Sequence, residues 1–159
     1  MTAEPAETSP PPEPPEPFVG LLMFIAARDV ENRVVAAMRQ AGIVDITLAQ
    51  ARVAARIGEH GTRLTDLAEQ AQVTKQTATS LVDRLEAAGY VERVPDPRDG
   101  RARLVRLTRK AHALMPVARG EEQRIEKEWE AHLGLRRMRQ LREALTLLRE
   151  ITDPYRDEA

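Results

Sequence analysis

The residues best equipped for chemistry lie between Leu64 and Lys110, and what they suit is recognition of a polyanion rather than the making of bonds. From Arg93 to Lys110 there are seven cations (Arg93, Arg98, Arg101, Arg103, Arg106, Arg109 and Lys110) against Asp96 and Asp99, a local charge of +5. Just upstream, Thr74, Lys75, Gln76, Thr77, Thr79, Ser80 and Arg84 put short hydroxyls, an amide and two cations within eleven residues. Such groups near a helix N-terminus suit base edges and phosphates. An unpartnered surface helix more usually carries Glu and Lys pairs four residues apart. The plain alternatives are an ordinary polar helix face and a solvated charge run. Enzymatic chemistry has no comparable footing. His60, His112 and His132 are far apart and share no metal-ligand spacing with carboxylates, and there is neither a Gly-rich phosphate loop nor a nucleophile elbow. Cysteine is absent, which excludes disulfides, thiolate metal sites and a cysteine peroxide sensor. The sequence therefore predicts a protein without catalytic residues, cofactor or metal.

Two short helical patterns and a hairpin must hold these side chains. Leu64, Leu67, Ala68 and Ala71 recur at three- and four-residue steps, one helix face, with Thr65 read as the N-cap and Asp66 and Glu69 on the first turn. Thr74 can cap a second helix with an apolar stripe of Ala78, Leu81, Val82 and Leu85, stopped by Gly89. Helix, tight turn, helix is the plan of a helix-turn-helix. At about 100° per residue, burying that stripe points Gln76, Ser80 and Asp83 outward, with Lys75, Thr77, Thr79 and Arg84 on the flanks. Residues 90–94 and 103–107 then read as strands, joined by turn chemistry from Pro95 to Gly100. A basic ribbon beside a helix-turn-helix is a wing, whose tip can place an arginine in a narrow, electronegative minor groove.

These residues carry a family resemblance. The run Leu67-Ala68, Thr74-Lys75-Gln76-Thr77, Leu81-Val82-Asp83-Arg84-Leu85-Glu86, Gly89, Glu92-Arg93, Asp96-Pro97, Asp99, Arg101-Ala102 and Leu107-Thr108 resembles the MarR family of bacterial winged-helix regulators. The resemblance is most specific in the wing, and covers the central third of the chain. Gly100 stands where the family commonly has a second arginine, and Ala111 where a glycine often follows Leu-Thr; the latter should firm the next helix. The resemblance implies a dimer that binds pseudo-palindromic operators and is often released by small phenolic or anionic ligands.

The rest of the chain is read around this centre. Its 159 residues make one domain most natural, and with 3% aromatic residues the core must come from Leu, Val, Ile, Ala and Met. The net charge of −1 does not announce a nucleic-acid binder, but local potential rather than the sum steers a polyanion. Residues 1–17 hold seven prolines, four glutamates and no cation, and read as a disordered acidic tail. Residues 18–159 then form a single unit, with a winged helix-turn-helix head at about 47–108. Residues 18–42 and 109–152 form helices with more apolar surface than the head can cover. Leu21, Leu22, Ile25, Val30, Val34, Val35 and Met38 mark the first, and Leu135, Met138, Leu141, Leu145 and Leu148 the last, close to a heptad seam. A helix from about Thr47 to Gly58 should pack under the head, with a brief strand at Arg63. Thr108 should cap a further helix that Pro116 kinks or restarts. The fold class is thus mainly α with a small antiparallel β-wing: a winged head plus a helical dimerisation layer. With no uncharged apolar run near about 18 residues and no signal-like N-terminus, a bacterial cytoplasmic protein that does not engage membranes is expected.

On this reading Gln76, Thr77 and Ser80 read base edges, with Thr74, Lys75, Thr79 and Arg84 on phosphates or the groove wall. Arg101 reaches the minor groove, oriented by Asp99 and supported by Arg98 and Arg103. A small-molecule effector is implied only by the resemblance, and residues near Phe24, Ile25, Ile46 and Trp129 are the candidates to line its cleft, against their plain reading as core. The expected function is a homodimeric, sequence-specific regulator of double-stranded DNA, a repressor relieved by such a ligand. The alternative is a winged-helix interaction module that has lost DNA binding, as Gly100 and the near-neutral net charge suggest.

Overall fold

The computed structural model describes residues 16–155, so the bulk of the proline-rich tail lies outside the described residues. The elements run α1 (Val19–Gln40), α2 (Leu48–Ala54), β1 (Thr62–Arg63), α3 (Leu64–Gln70), α4 (Lys75–Ala87), β2 (Val91–Asp96), β3 (Asp99–Leu107), α5 (Arg109–His112), α6 (Met115–Leu133) and α7 (Leu135–Thr152). This is the mainly α architecture with a small antiparallel wing that the sequence predicts; β1 joins the wing in a three-stranded antiparallel sheet of order β1-β3-β2. Among the described residues no helix is long and apolar enough to cross a membrane.

The core lies in the head. Val53 and Ile57 from the α2 region, Leu67 and Ala71 from the α3 region, Val82 and Leu85 from α4 and Tyr90, Val91 and Val105 from the wing base pack together with Ile46. The apolar stripe of α4 faces this cluster as predicted, with Ala78, Val82 and Leu85 fully buried.

Local chemistry moves several boundaries. Helix α2 has a capping box in which Thr47 and Gln50 satisfy each other's backbone N–H, but it ends at Ala54 rather than near Gly58. The chain leaves the helix early to turn Ile57 into the core and bring the Gly58 N–H to the Thr62 hydroxyl at 3.0 Å. Thr65 is not the cap of α3. The extended Arg63, fixed by its pairing with Leu104, starts that helix two residues sooner, and the Thr65 hydroxyl donates to Asp66 instead. Thr108 does cap a helix, but α5 lasts only four residues; the chain restarts at Met115 with Pro116 in the first turn, where a missing N–H costs nothing.

Helix α1 packs along α6, and α7 folds back on α6 after Gly134, whose φ of +82° suits glycine. Of the predicted seam on α7 only Met138 is buried. Phe18 and Ile151 are 89% and 84% exposed, and Leu21, Leu22, Phe24, Leu145, Leu147 and Leu148 are exposed with them. An apolar area this extensive is unusual on a lone chain.

Candidate nucleic-acid interface

Helix α4 starts where the sequence places it. Thr74 is extended at φ −66° and ψ 154°, and its Oγ1 accepts the Thr77 N–H at 3.1 Å. The hydroxyls of Thr74 and Thr77 also bond each other at 2.9 Å, so both arrive partly engaged. The Thr79 hydroxyl donates back to Lys75 O at 2.8 Å and is half-buried, which withdraws it from the outer face. Gln76 and Ser80 are exposed with no side-chain partner among the described residues, as are Lys75 and Arg84. Asp83 is exposed but engaged: Arg93 bonds it at 2.6 Å and reaches Glu86 as well, clamping the base of the wing to α4.

The wing is longer and tighter than predicted. Its strands run through Asp96 and from Asp99, so only Pro97 and Arg98 make the reversal, and the register slips just before Asp96 so that Gly100, Arg101 and Ala102 bulge from β3. The +5 of the sequence is unevenly available. Arg93 is held by Asp83 and Glu86, Arg106 by Glu92 at 2.8 Å, and Lys110 donates to Ala88 O at 2.7 Å while lying over the Tyr90 ring. Arg98, Arg101 and Arg103 are exposed, and no carboxylate among the described residues pairs with their side chains. Asp99 does contact Arg101, through the backbone: its Oδ1 accepts the Arg101 N–H at 3.1 Å.

Two groups that hold this surface went unread in the sequence. Asp96 is buried at the tip, where it accepts the Arg98 N–H at 2.8 Å and two guanidinium bonds from Arg63 at 2.6 and 2.8 Å. The Arg98 amide, then Arg63, hold its carboxyl below the usual range. Asp96 read only as a turn residue, and nothing in local spacing links it to a partner 33 positions away. The second is Tyr90, buried under the wing, whose hydroxyl donates to Asp45 at 2.7 Å. Burial, then the Asp45 charge, push its ionisation up to about 12.

The residues named for a ligand cleft do not converge. Ile46 is part of the head core because its side chain packs with Val53 and Ile57, whereas Phe24 and Ile25 lie exposed on α1, Phe24 beneath Arg28. Trp129 borders a shallow apolar hollow of about 230 Å³ with Ala26, His132, Leu133 and Leu141. Among the described residues, no group of three His, Asp or Glu could hold a metal ion.

A helix-turn-helix followed by a two-stranded, arginine-tipped ribbon defines a winged-helix head. Residues 44–102 match the model of the MarR family. The transcriptional activatory protein BadR of Rhodopseudomonas palustris is 40% identical over 58 residues, 36% of this chain and 33% of that protein. Among solved structures, the transcriptional regulator PA4135 is 27% identical, covers 86% of this chain and 99% of its own, and superposes with a TM-score of 0.66. NadR in complex with 4-hydroxyphenylacetate is 25% identical over 87% of this chain and 96% of its own, at a TM-score of 0.65. Over residues 44–102 the chain is similar to the MarR family of transcriptional regulators, and its winged-helix fold matches theirs. Its matches span less than half the length of the curated relatives.

Proposed function

We propose that the protein is a homodimer that binds pseudo-palindromic operators in double-stranded DNA and represses transcription until a small aromatic or anionic ligand releases it. One observation carries the DNA reading: Gln76, Ser80, Lys75 and Arg84 on α4 and Arg98, Arg101 and Arg103 on the wing are exposed and unpaired among the described residues, while Arg93, Arg106 and Lys110 are engaged internally. Gln76, Thr77 and Ser80 read base edges in the major groove, and Arg101 enters the minor groove between Arg98 and Arg103. Thr74, Lys75 and Arg84 meet phosphates, and Thr79 supports the helix through its bond to Lys75 O.

Residues 47–108 form the reading head, and 18–42 with 109–152 the dimerisation layer. The exposed apolar surface of α1 and α7 supports that layer, since a second copy would cover both helices with matching apolar surface. Two heads then meet half-sites about 34–36 Å apart, one helical turn. The ligand part rests on the likeness to ligand-bound NadR, with the hollow beside Trp129 as a partial wall. A ligand that binds best when the heads are wrongly spaced for the groove releases the operator.

Selection of bound fragments from the source genome, followed by footprinting, tests the reading. Two protected segments related by an inverted repeat are expected. Recovery no better than for arbitrary sequence, with no protection at low salt, refutes it and leaves the interaction-module alternative.

A further inference from the structure

Arg63 stands where the first helix of the motif, the sheet and the wing meet. Its extended backbone starts α3 and pairs with Leu104 of β3, which in turn faces Val94 of β2. Its guanidinium reaches along the ribbon to the tip, where Nε and Nη2 both donate to Asp96 Oδ2. Nη2 also lies 3.7 Å from Asp99 Oδ2. The other oxygen of each carboxylate is committed to the tip backbone: Asp96 Oδ1 accepts the Arg98 N–H and Asp99 Oδ1 the Arg101 N–H. One cation thus holds two carboxylates, and they hold the amides of two of the three unpaired arginines.

We propose that Arg63 is a positioning residue for operator reading, which through Asp96 and Asp99 fixes where Arg98 and Arg101 stand relative to the recognition helix. The inference rests on the DNA reading above. The tip needs such a tie, because the bulge at residues 100–102 interrupts the β2–β3 register and leaves those residues without ladder partners. A tip that had to be ordered at the moment of binding would lose affinity to that ordering. A sheet clip that only stabilised the head would need no contact beyond Leu104; the two carboxylates that Arg63 reaches are instead those that cap the tip.

The full chain tests this with four variants: Arg63→Met (R63M), which keeps the stem and removes the donors, Arg63→Lys, Arg101→Ala, and the double variant R63M/R101A. Without DNA, the Arg98 and Arg101 amides should exchange with solvent roughly tenfold faster in R63M, while the α4 amides stay as in the parent. On the selected operator, R63M should lose affinity about as far as Arg101→Ala, roughly tenfold, and the double variant should be no weaker than the worse single. Arg63→Lys keeps a cation beside the buried Asp96 and so protects the fold, but it lacks the fork to span both carboxylates; it should fall between parent and R63M in both readouts. Tip amides that exchange as in the parent in both Arg63 variants overturn the proposal, as do losses that simply add in the double variant. A parent protein that protects no DNA defeats the DNA reading instead, and the exchange arm alone then decides whether Arg63 holds the tip.

Discussion

On the proposed DNA reading, the salt dependence of binding should separate the cations that face a duplex from those spent inside the protein. Lys75, Arg84, Arg98, Arg101 and Arg103 have no carboxylate partner among the described residues, whereas Arg93 and Arg106 are ion-paired and Lys110 is held by Ala88 O and the Tyr90 ring. Arg109 follows the base of β3, roughly 26 Å along the strand from the tip at about 3.3 Å per residue. Five free cations per head give ten per dimer, and about 0.9 unit of log–log slope for each phosphate neutralised puts the ceiling near 9 units. Counting Arg93, Arg106 and Lys110 as well would raise that ceiling to about 14. Fluorescence anisotropy on the selected operator between about 50 and 300 mM salt measures the slope. A value at or below about 9 is expected. Arg101→Ala, which removes one contact from each protomer, should lower it by about 1.8, and Arg106→Ala should leave it within about half a unit. A slope well above 9, or equal effects of the two substitutions, would refute the assignment of free and spent charge.

Three further outcomes follow from the head. Leu85→Ala empties a fully buried site in the core and should cost about 2–5 kcal/mol, seen as a lower denaturant midpoint with unchanged m. Gly61→Ala places a methyl 3.1 Å from both Leu104 Cβ and Val105 O at a φ of +92°; it should cost at least about 1–2 kcal/mol, whereas Gly120→Ala in open space within α6 should gain about 0.5–1 kcal/mol in the same assay. Stability should form a plateau in pH. Asp96, Asp45 and Glu31 are held low by the Arg98 amide, the Tyr90 hydroxyl and Arg52 respectively, so their contribution is complete above the unfolded carboxylate values near 4 and is lost as pH falls from there through their lower folded-state values. Tyr90, pushed up to about 12, contributes fully below its unfolded value of about 10 and loses that contribution as pH rises towards 12. Thermal melts across pH check both limbs; an acid limb unchanged in Asp96→Asn would remove Asp96 from that balance.

What the sequence made legible was what short-range periodicity encodes. The α4 stripe, the Thr74 cap, the Gly89 stop and the two-stranded wing could be read because each depends on residues within one or two turns of one another. What escaped depends on contacts between distant segments. Thr65 looked like a cap, but the strand pairing of Arg63 with Leu104 decided where α3 begins. The place of Ile46 escaped for the same reason: periodicity marks it as apolar, and only the packing of the head shows that it lies in the core. The charge count overstated the wing because Asp83, Glu86 and Glu92 lay outside the window summed, although they neutralise Arg93 and Arg106.

The same accounting explains how a chain of net charge −1 can present unpaired cations on α4 and the wing. Several of its carboxylates pair with cations of neighbouring elements. Glu31 of α1 takes Arg52 of α2 at 2.6 Å and lies 3.7 Å from Arg56, which also donates to Gln70 O at the end of α3. Two residues on, Arg33 bonds the buried Glu121 and exposed Glu128 of α6. A two-residue step on a helix is about 200°, so α1 presents one charge to the head and the opposite charge to the helical layer. Partly exposed pairs of this kind add little to stability but are strict about geometry. A tilt of α1 that left α2 and the end of α3 in place would break the Glu31–Arg52 bonds and loosen Arg56 from Glu31.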